Sequence, residues 1–304
     1  MEAEGNSIGR RPLILIWAVF AVLFAANYVP TFRWMIMRWN EDGSYSSHGW
    51  LIPPVSAVLL WGMRDRLGAV PRQSSAAGFG MVLLALCIHA LSGAADVSSL
   101  SGFSMVLLVA GFSMMMMGSA WFRVAWFPIL LLLFMVPLPD FLISNLNFKL
   151  KLVAADVAAR MLNASGLPAI HAGSFLLFGE EKLAVGDVCS GLRSMLSLVA
   201  LGTIYAWLVR DRGRLLVLAI LLAIIPSAVF GNGLRIYIVS LLVYFLGSET
   251  VFRPIVAGTD LHLLTGGIIF LGAFAVLYAI SSAYDAFMAT RSSKSQAGEK
   301  AALP

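Results

Sequence analysis

Of the 304 residues, 60% are hydrophobic and 12% charged, and the mean hydropathy is +0.87, against an apolar share of about 45–50% in soluble domains. A water-soluble globule is excluded. Net charge is +5, but in a chain this apolar the placement of basic residues reports orientation in a membrane rather than a nucleic-acid partner. Cys87, inside the apolar run "MVLLALCIHAL", and Cys189, at a polar boundary, are the only cysteines, so two isolated thiols are expected and no disulfide framework.

Apolar runs near 12–31, 49–63, 75–92, 101–120, 124–139, 189–209, 214–230 and 262–284 approach the roughly 20 helical residues that cross a hydrocarbon core of about 30 Å. The first follows Arg10 and Arg11 as a signal peptide would, but no small-residue cleavage site comes after it, so it reads as helix one. A further run, 234–247, is ambiguous. Basic residues gather before the first run, in "RDRLGAVPR" (64–72), around Arg123, in "RDRGR" (210–214) and in the tail at Arg291, Lys294 and Lys300. These are alternate connections. The excess of Lys and Arg on the cytoplasmic side therefore places both termini inside and segments 32–48, 93–100 and 140–187 outside.

Segment 140–187 has structure of its own. In "NLNFKLKLVAADVAARML" the spacing puts Leu146, Leu150, Val153, Val157 and Met161 on one helical face, with Lys149, Asp156, Arg160 and Asn163 opposite. Such a helix is expected to lie along the outer membrane interface, with packing on the side of the bundle as the alternative. "SFLLFGEEKLAV" follows, two β-favouring runs around a polar turn, which predicts a hairpin running into Cys189.

Cys189 thus stands at the outer end of a membrane helix, with Ser190 and Gly191 opening the first turn. Unpaired N–H groups and the partial positive charge of a helix N-terminus favour thiolate over thiol, and Gly191 would let a substrate backbone approach the sulfur. Asp187 acts against the thiolate, so a cationic partner is wanted. A small residue packed at a helix start is the competing reading of Cys189. Arg235 interrupts apolar sequence in "GNGLRIYIVSLL", where an arginine at mid-membrane costs about 2.5–3.5 kcal/mol, which marks it as a functional candidate. His262 begins the last run in "GTDLHLLTGG". Arg193 is a rival cation that also suits a snorkelling or Asp187-paired role; His48 and His171 carry no spacing that assigns them a base role, and His89 reads as a packing residue.

The stretches "YSSHGWLIPPVSAVLLW", "FPILLLLFMVPLP", "LAVGDVCSGLRSM", "NGLRIYIVSLL" and that around His262 occur in this order from about Trp39 to the last run. Together they resemble the exosortase/archaeosortase family of membrane-embedded processing enzymes. The apolar runs and the basic connections describe one integral membrane domain over 1–304, with 1–11 and 285–304 cytoplasmic. They predict an all-α bundle of about eight spans, with the outer amphipathic helix and hairpin set before the helix that opens at Cys189. The resemblance implies Cys189 as nucleophile, Arg235 as the cationic member and His262 as the histidine of a Cys–Arg–His set, and no cofactor or metal is expected.

Implied substrates are exported proteins carrying a C-terminal signal: a Pro-Glu-Pro motif, a hydrophobic anchor and basic residues. Cleavage would occur at the periplasmic face of the inner membrane, with transfer of the acyl product to an envelope acceptor. The partners are those substrates and membrane lipid, not nucleic acid. Some relatives carry a fused C-terminal domain; here any companion function would reside in a separate accessory protein. Lys149, Arg160, Lys182 and Arg193 offer charge for the motif's glutamate, although each also reads as a solvated surface residue.

A triad constrains topology, because a full crossing by 234–247 would put His262 a membrane's thickness from Cys189. Either 214–247 is one long helix bent at Pro226 and Gly231–Gly233, or 234–247 re-enters and returns. Both leave an even count, which suits basic termini on one side. Two other classes fit parts of the pattern. A transporter would use Arg235 at mid-membrane but calls for inverted repeats, which are not visible, and a membrane acyltransferase on lipid or polysaccharide leaves Cys189 unexplained.

Overall fold

The computed structural model describes residues 10–41, 43–186, 191–253 and 261–301, which divide into two units, Met1–Asp140 and Phe141–Pro304. The first unit holds α1 (Arg10–Asn40), α2 (Ile52–Gly62), α3 (Arg64–Ala69), α4 (Ala76–Ala95), α5 (Ser98–Met117) and α6 (Ser119–Leu131). Helices α4 and α5 form an antiparallel pair whose close approach depends on small residues, as is usual where lipid removes the hydrophobic drive between helices. A Cβ on Gly111 would fall 2.9 Å from the Met81 Cβ. Helix α1 joins them through stacked Phe20 and Phe112 rings, 3.7 Å apart. It also contributes a buried polar seam, in which Thr31 Oγ1 meets Ser101 Oγ at 2.6 Å and Tyr28 OH meets Ser104 Oγ at 3.0 Å. His89 Nδ1 completes the seam, 2.8 Å from Ser101 Oγ, so this histidine is satisfied within the bundle.

The second unit begins with α7 (Asp140–Ala164) and a three-stranded antiparallel sheet in the order β1 (Ala169–Ala172), β2 (Phe175–Phe178), β3 (Glu181–Ala184). The sequence predicts only the β2–β3 hairpin; β1 is added because Asn163 binds both edges of Ala169, donating from Nδ2 to its carbonyl and accepting at Oδ1 from its N–H. The sheet covers a core with α7 on one side. The buried face of α7 is a stripe of small residues, Ala154, Ala155, Ala158, Ala159 and then Leu162, packed with Leu176, Phe178 and Leu183 of the sheet. This differs from the predicted Leu146–Met161 face, of which Val153 is 45% exposed. Large side chains dominate an amphipathicity reading, whereas tight packing selects the alanines.

Three further helices complete the unit: α8 (Leu192–Leu208), α9 (Arg214–Leu246) and α11 (Leu261–Ala301), with α10 (Ser248–Phe252) a single turn after α9. The ambiguous 234–247 run is the continuation of α9, which runs helical through Pro226 and through Gly231–Gly233. Those glycines serve approach rather than interruption. A Cβ on Gly233 would collide with Val157 of α7, and one on Gly231 would fall 3.2 Å from Ile269 of α11. Beyond them Ile236, Val239 and Val243 join the core under the sheet, while Tyr244, Phe245 and Leu246 at the end of the run are exposed.

Five helices are long and apolar enough to cross a membrane, those containing Ile14–Asn40, Ala76–Ala95, Ser98–Met117, Arg214–Leu246 and Leu264–Arg291, and six if Ser119–Met135 with Asp140–Ala164 forms one span. The protein is a helical multi-pass membrane protein. Three of the eight predicted runs are represented by shorter helices, α2 with 11 residues, α6 with 13 and α8 with 17.

Candidate active site

Helices α8, α9 and α11 meet in register, and their glycines show it. Gly191 abuts Asn232, Gly202 abuts Ile224 and Leu277, and Gly213 abuts the Tyr284 hydroxyl. Hence α8 and α11 run parallel to each other and antiparallel to α9. At the Gly213 level the layer is charged: Arg212 Nη1 donates to Asp285 Oδ2 at 2.8 Å and to Ser281 Oγ at 3.1 Å. Arg210 lies over the Trp207 ring, 3.8 Å from its centroid. Nineteen to twenty-one residues away along the chain, at Gly191 and Asn232 counted from Arg212 and at Gly266 counted from Asp285, is the second polar layer. At 1.5 Å per residue the layers are about 30 Å apart, close to a hydrocarbon thickness.

The second layer contains Arg235, 8% exposed, and Asn232, also 8% exposed, on one face of α9. A Cβ on Gly266 would fall 2.9 Å from Arg235 Cζ, 3.0 Å from Nη2 and 3.2 Å from Nε. With three guanidinium atoms at nearly equal range, the plane of the group faces that glycine. Asn232 lies on the other side, against Gly191, which caps α8 at φ +71°. There a Cβ would be strained by the left-handed backbone and would also collide with the Asn232 carboxamide. The Cβ position that Gly191 leaves open is taken up by the Asn232 side chain. A narrow cleft of about 20 Å³, room for little more than a water molecule, is lined by Ser194, Asn232, Arg235 and Gly266 together with apolar residues such as Leu198 and Phe270. A second, smaller one of about 10 Å³ is lined by Asn232 with Gly191, Met195 and Leu150.

Of the three predicted site residues, Arg235 is in this layer. Cys189 lies outside the described residues, two positions before Gly191, as does Asp187. His262 is described by its backbone alone, in the first turn of α11 and four residues before Gly266. Arg193 is exposed on α8. His171 on β1 stands 3.6 Å from Asp156, which also pairs with Arg160. His48 is in a short turn between α1 and α2. Burial holds its imidazole below the ordinary range, against a hydrogen bond with the Phe134 carbonyl. Lys182 lies 4.3 Å from the Phe175 ring centroid. Cys87 is free and exposed on α4. Among the described residues no group of three or more His, Cys, Asp or Glu side chains is arranged to hold a metal.

Sequence reading passes over Asn232 and Ser194. Asn232 sits between two glycines, a context that reads as a helix interruption; the available signal was its position three residues before Arg235, one turn along the same face.

Searches of curated proteins and of solved structures give no match. The model of the transmembrane exosortase family matches residues 39–279, from the end of α1 to within α11. That family comprises membrane proteases or transpeptidases. The matched stretch takes in both units and the whole of the Gly191–Asn232–Arg235–Gly266 layer, and on it this multi-pass protein belongs to the transmembrane exosortase family.

Proposed function

We propose that the chain cleaves exported proteins next to a C-terminal membrane anchor, using Cys189 as nucleophile, Arg235 as the charged group and His262 as acid and base, and that the substrate signal is of the Pro-Glu-Pro type. One observation carries the reading. Three chain segments converge on one polar layer: the start of α8, two residues after Cys189; the Asn232–Arg235 turn of α9; and Gly266 of α11, one turn after His262.

In this reading the thiol gives its proton to His262 and the thiolate adds to the carbonyl carbon of the scissile bond. Collapse of the adduct expels the anchor as an amine, which takes the proton back from His262 and leaves a thioester on Cys189. An acceptor, water or an amine of an envelope glycan or lipid, then releases the acyl product, with His262 as base.

The same reading gives eight membrane helices, α1, α2, α4, α5, α6, α8, α9 and α11. The basic residues at 64–72, 210–214 and the tail lie on the cytoplasmic side; α7 and the sheet lie in the periplasm. An unbroken α9 supports that parity, since Arg214 and Arg235 are 21 residues, about 32 Å, apart along one helix.

The test is co-expression with a Pro-Glu-Pro protein, followed by gel and mass spectrometry of its C-terminus. The parent and the Cys87→Ala variant are expected to remove the anchor, and Cys189→Ala, present in the membrane at equal level, to leave it in place. An intact anchor with the parent, or its removal by Cys189→Ala, overturns the reading; continued processing without the cysteine would favour an acyl transfer centred on another group.

A further inference from the structure

The three-stranded sheet is apolar on both faces. An antiparallel sheet that covers a core with one face ordinarily turns polar residues outward on the other. Here Leu176, Phe178 and Leu183 point into the core. On the opposite face the register sets Ile170, Leu177 and Lys182 in one row and Ala172, Phe175 and Ala184 in the next. Lysine apart, that face is apolar, with Ile170 66% exposed and Phe175 exposed beside it. It is made for a neighbour other than water.

Helix α9 identifies the neighbour. Ile236, Val239 and Val243, which pack under the sheet, follow Leu218, Leu221 and Ile225 at intervals of eighteen residues. Eighteen residues are five whole turns, so the six share one stripe of the helix. Leu218, Leu221 and Ile225 are 42–54% exposed on a helix long and apolar enough to cross a membrane, which makes their side of it the lipid side. The sheet therefore stands directly over the lipid that this stripe meets. Depth agrees: Ile236 and Val243 are 22 and 29 residues beyond Arg214, about 33 and 44 Å along the axis. The first is just past a hydrocarbon core of about 30 Å, and the second is clear of the headgroups. Gly179, in the β2–β3 turn, faces Tyr244 at the far end of α9, whereas Val185, which follows β3, joins the core with Ile236. The row containing Phe175 is thus the one nearer the hydrocarbon.

We propose that the outer face of the sheet is a lipid-binding surface. Ile170, Phe175 and Leu177 enter the boundary between headgroups and acyl chains in the leaflet at the Asn232–Arg235 end of the bundle, and Lys182 pairs with lipid phosphate. Lys182 Nζ lies 4.3 Å from the Phe175 ring centroid, so its stem runs along the apolar face and its charge stays at the edge, as a snorkelling lysine does. Size argues against a protein in this place. Three strands of four residues make a face of about 14 by 13 Å, near 190 Å², well short of the roughly 800 Å² that each partner gives to a stable protein interface. The surface is independent of the cleavage chemistry.

The test is spin-label accessibility on the full-length protein, carrying Cys87→Ala and Cys189→Ala, in vesicles of phosphatidylethanolamine and phosphatidylglycerol. Labels are attached at Ile170→Cys or Phe175→Cys on the face, at Ser165→Cys or Glu180→Cys near the far end of the sheet, and at Leu222→Cys on the lipid side of α9; all five are exposed positions. Collision with oxygen, which partitions into lipid, is compared with collision with a water-soluble nickel chelate. Labels at 170 and 175 are expected to favour oxygen several-fold more than those at 165 and 180, as the label at 222 does, and to sit at the depth of about 5–10 Å usual for interfacial apolar faces. Either face position carries the test if the other variant accumulates poorly. Nickel access at 170 and 175 equal to that at 165 and 180 puts the face in water and overturns the proposal. Protection from both reagents also overturns it, because a second copy or another protein would then cover the strands. Lys182→Glu, which sets a carboxylate against the phosphates, is expected to raise nickel access at 170; unchanged access overturns the part given to Lys182.

Discussion

Arg235 and Gly266 form a matched pair in which the glycine exists to receive a plane. A methyl group there would fall 2.9–3.2 Å from three atoms of the guanidinium and push it off the α11 backbone. Two substitutions therefore separate charge from placement. Arg235→Lys keeps the charge and removes the planar fork; Gly266→Ala keeps the whole arginine and displaces it. Both are expected to lower processing by about 10²–10³-fold, the range for loss of one oriented group in a partly desolvated site, and both to move Cys189 alkylation to higher pH, since a displaced cation holds the thiolate less well. If lysine restores most of the rate, or Gly266→Ala behaves as the parent, the arginine contributes only a diffuse potential. At this scale the sequence was informative where a residue broke an expectation. A charge inside an apolar run singled out Arg235, but an asparagine between glycines looked like ordinary loop chemistry, and Asn232 went unremarked until the packing against Gly191 was visible.

Among the elements, α7 and α9 show most clearly what a one-dimensional pattern omits. The packed face of α7 is set by what fits against the sheet, and alanines at 154, 155, 158 and 159 fit where leucines would not. Enlarging one of them should strain the core: Ala158→Leu is expected to cost about 1–3 kcal/mol. Val153→Ala, on the largely exposed side, is expected to change stability by no more than about 0.5 kcal/mol. The check is the midpoint of denaturant-induced loss of helicity in detergent-purified protein; equal midpoints for the two variants would mean that the alanine stripe is not the load-carrying face. The long helix α9 was legible as two apolar runs, with Gly231–Asn232–Gly233 read as the bend between them. Helix–helix contact with α7 and α11 explains those glycines better than chain flexibility does, and that contact is long-range information. Strand β1 was invisible for a related reason, because "AIHA" has little β character and is held by Asn163 from the preceding helix.

For the whole molecule, the proposed topology fixes which loops face out, and exposed positions at each level make it testable. In a background lacking Cys87 and Cys189, single cysteines at Glu180, in the β2–β3 turn, and at Thr250, in α10, are expected to react with a membrane-impermeant maleimide once the outer membrane is permeabilised. One at Asp211, between α8 and α9, should react only after the inner membrane is lysed. Labelling of position 250 together with 211 would put the two ends of α9 on one side and remove the common layer in which the three site segments meet.

The interval of about twenty residues between the two polar layers also turns the bundle into a gauge. In the proposed topology one end is pinned by Arg210, Arg212 and Asp285, groups that resist leaving the headgroup region, so the height of the Asn232–Arg235 layer above that end is fixed by helix rise at about 30 Å and not by the lipid. On the proposed function a substrate anchor beside the bundle has its own fixed length, and both are fitted to the same bilayer by tilt and local thinning. In a thicker membrane the proposed site layer would then sink below the outer headgroups while a short anchor draws its scissile bond inward with it; a long anchor would carry the bond past the site. Under that reading hydrocarbon thickness becomes a term in substrate choice, acting on the number of apolar residues in the anchor independently of the motif that precedes it.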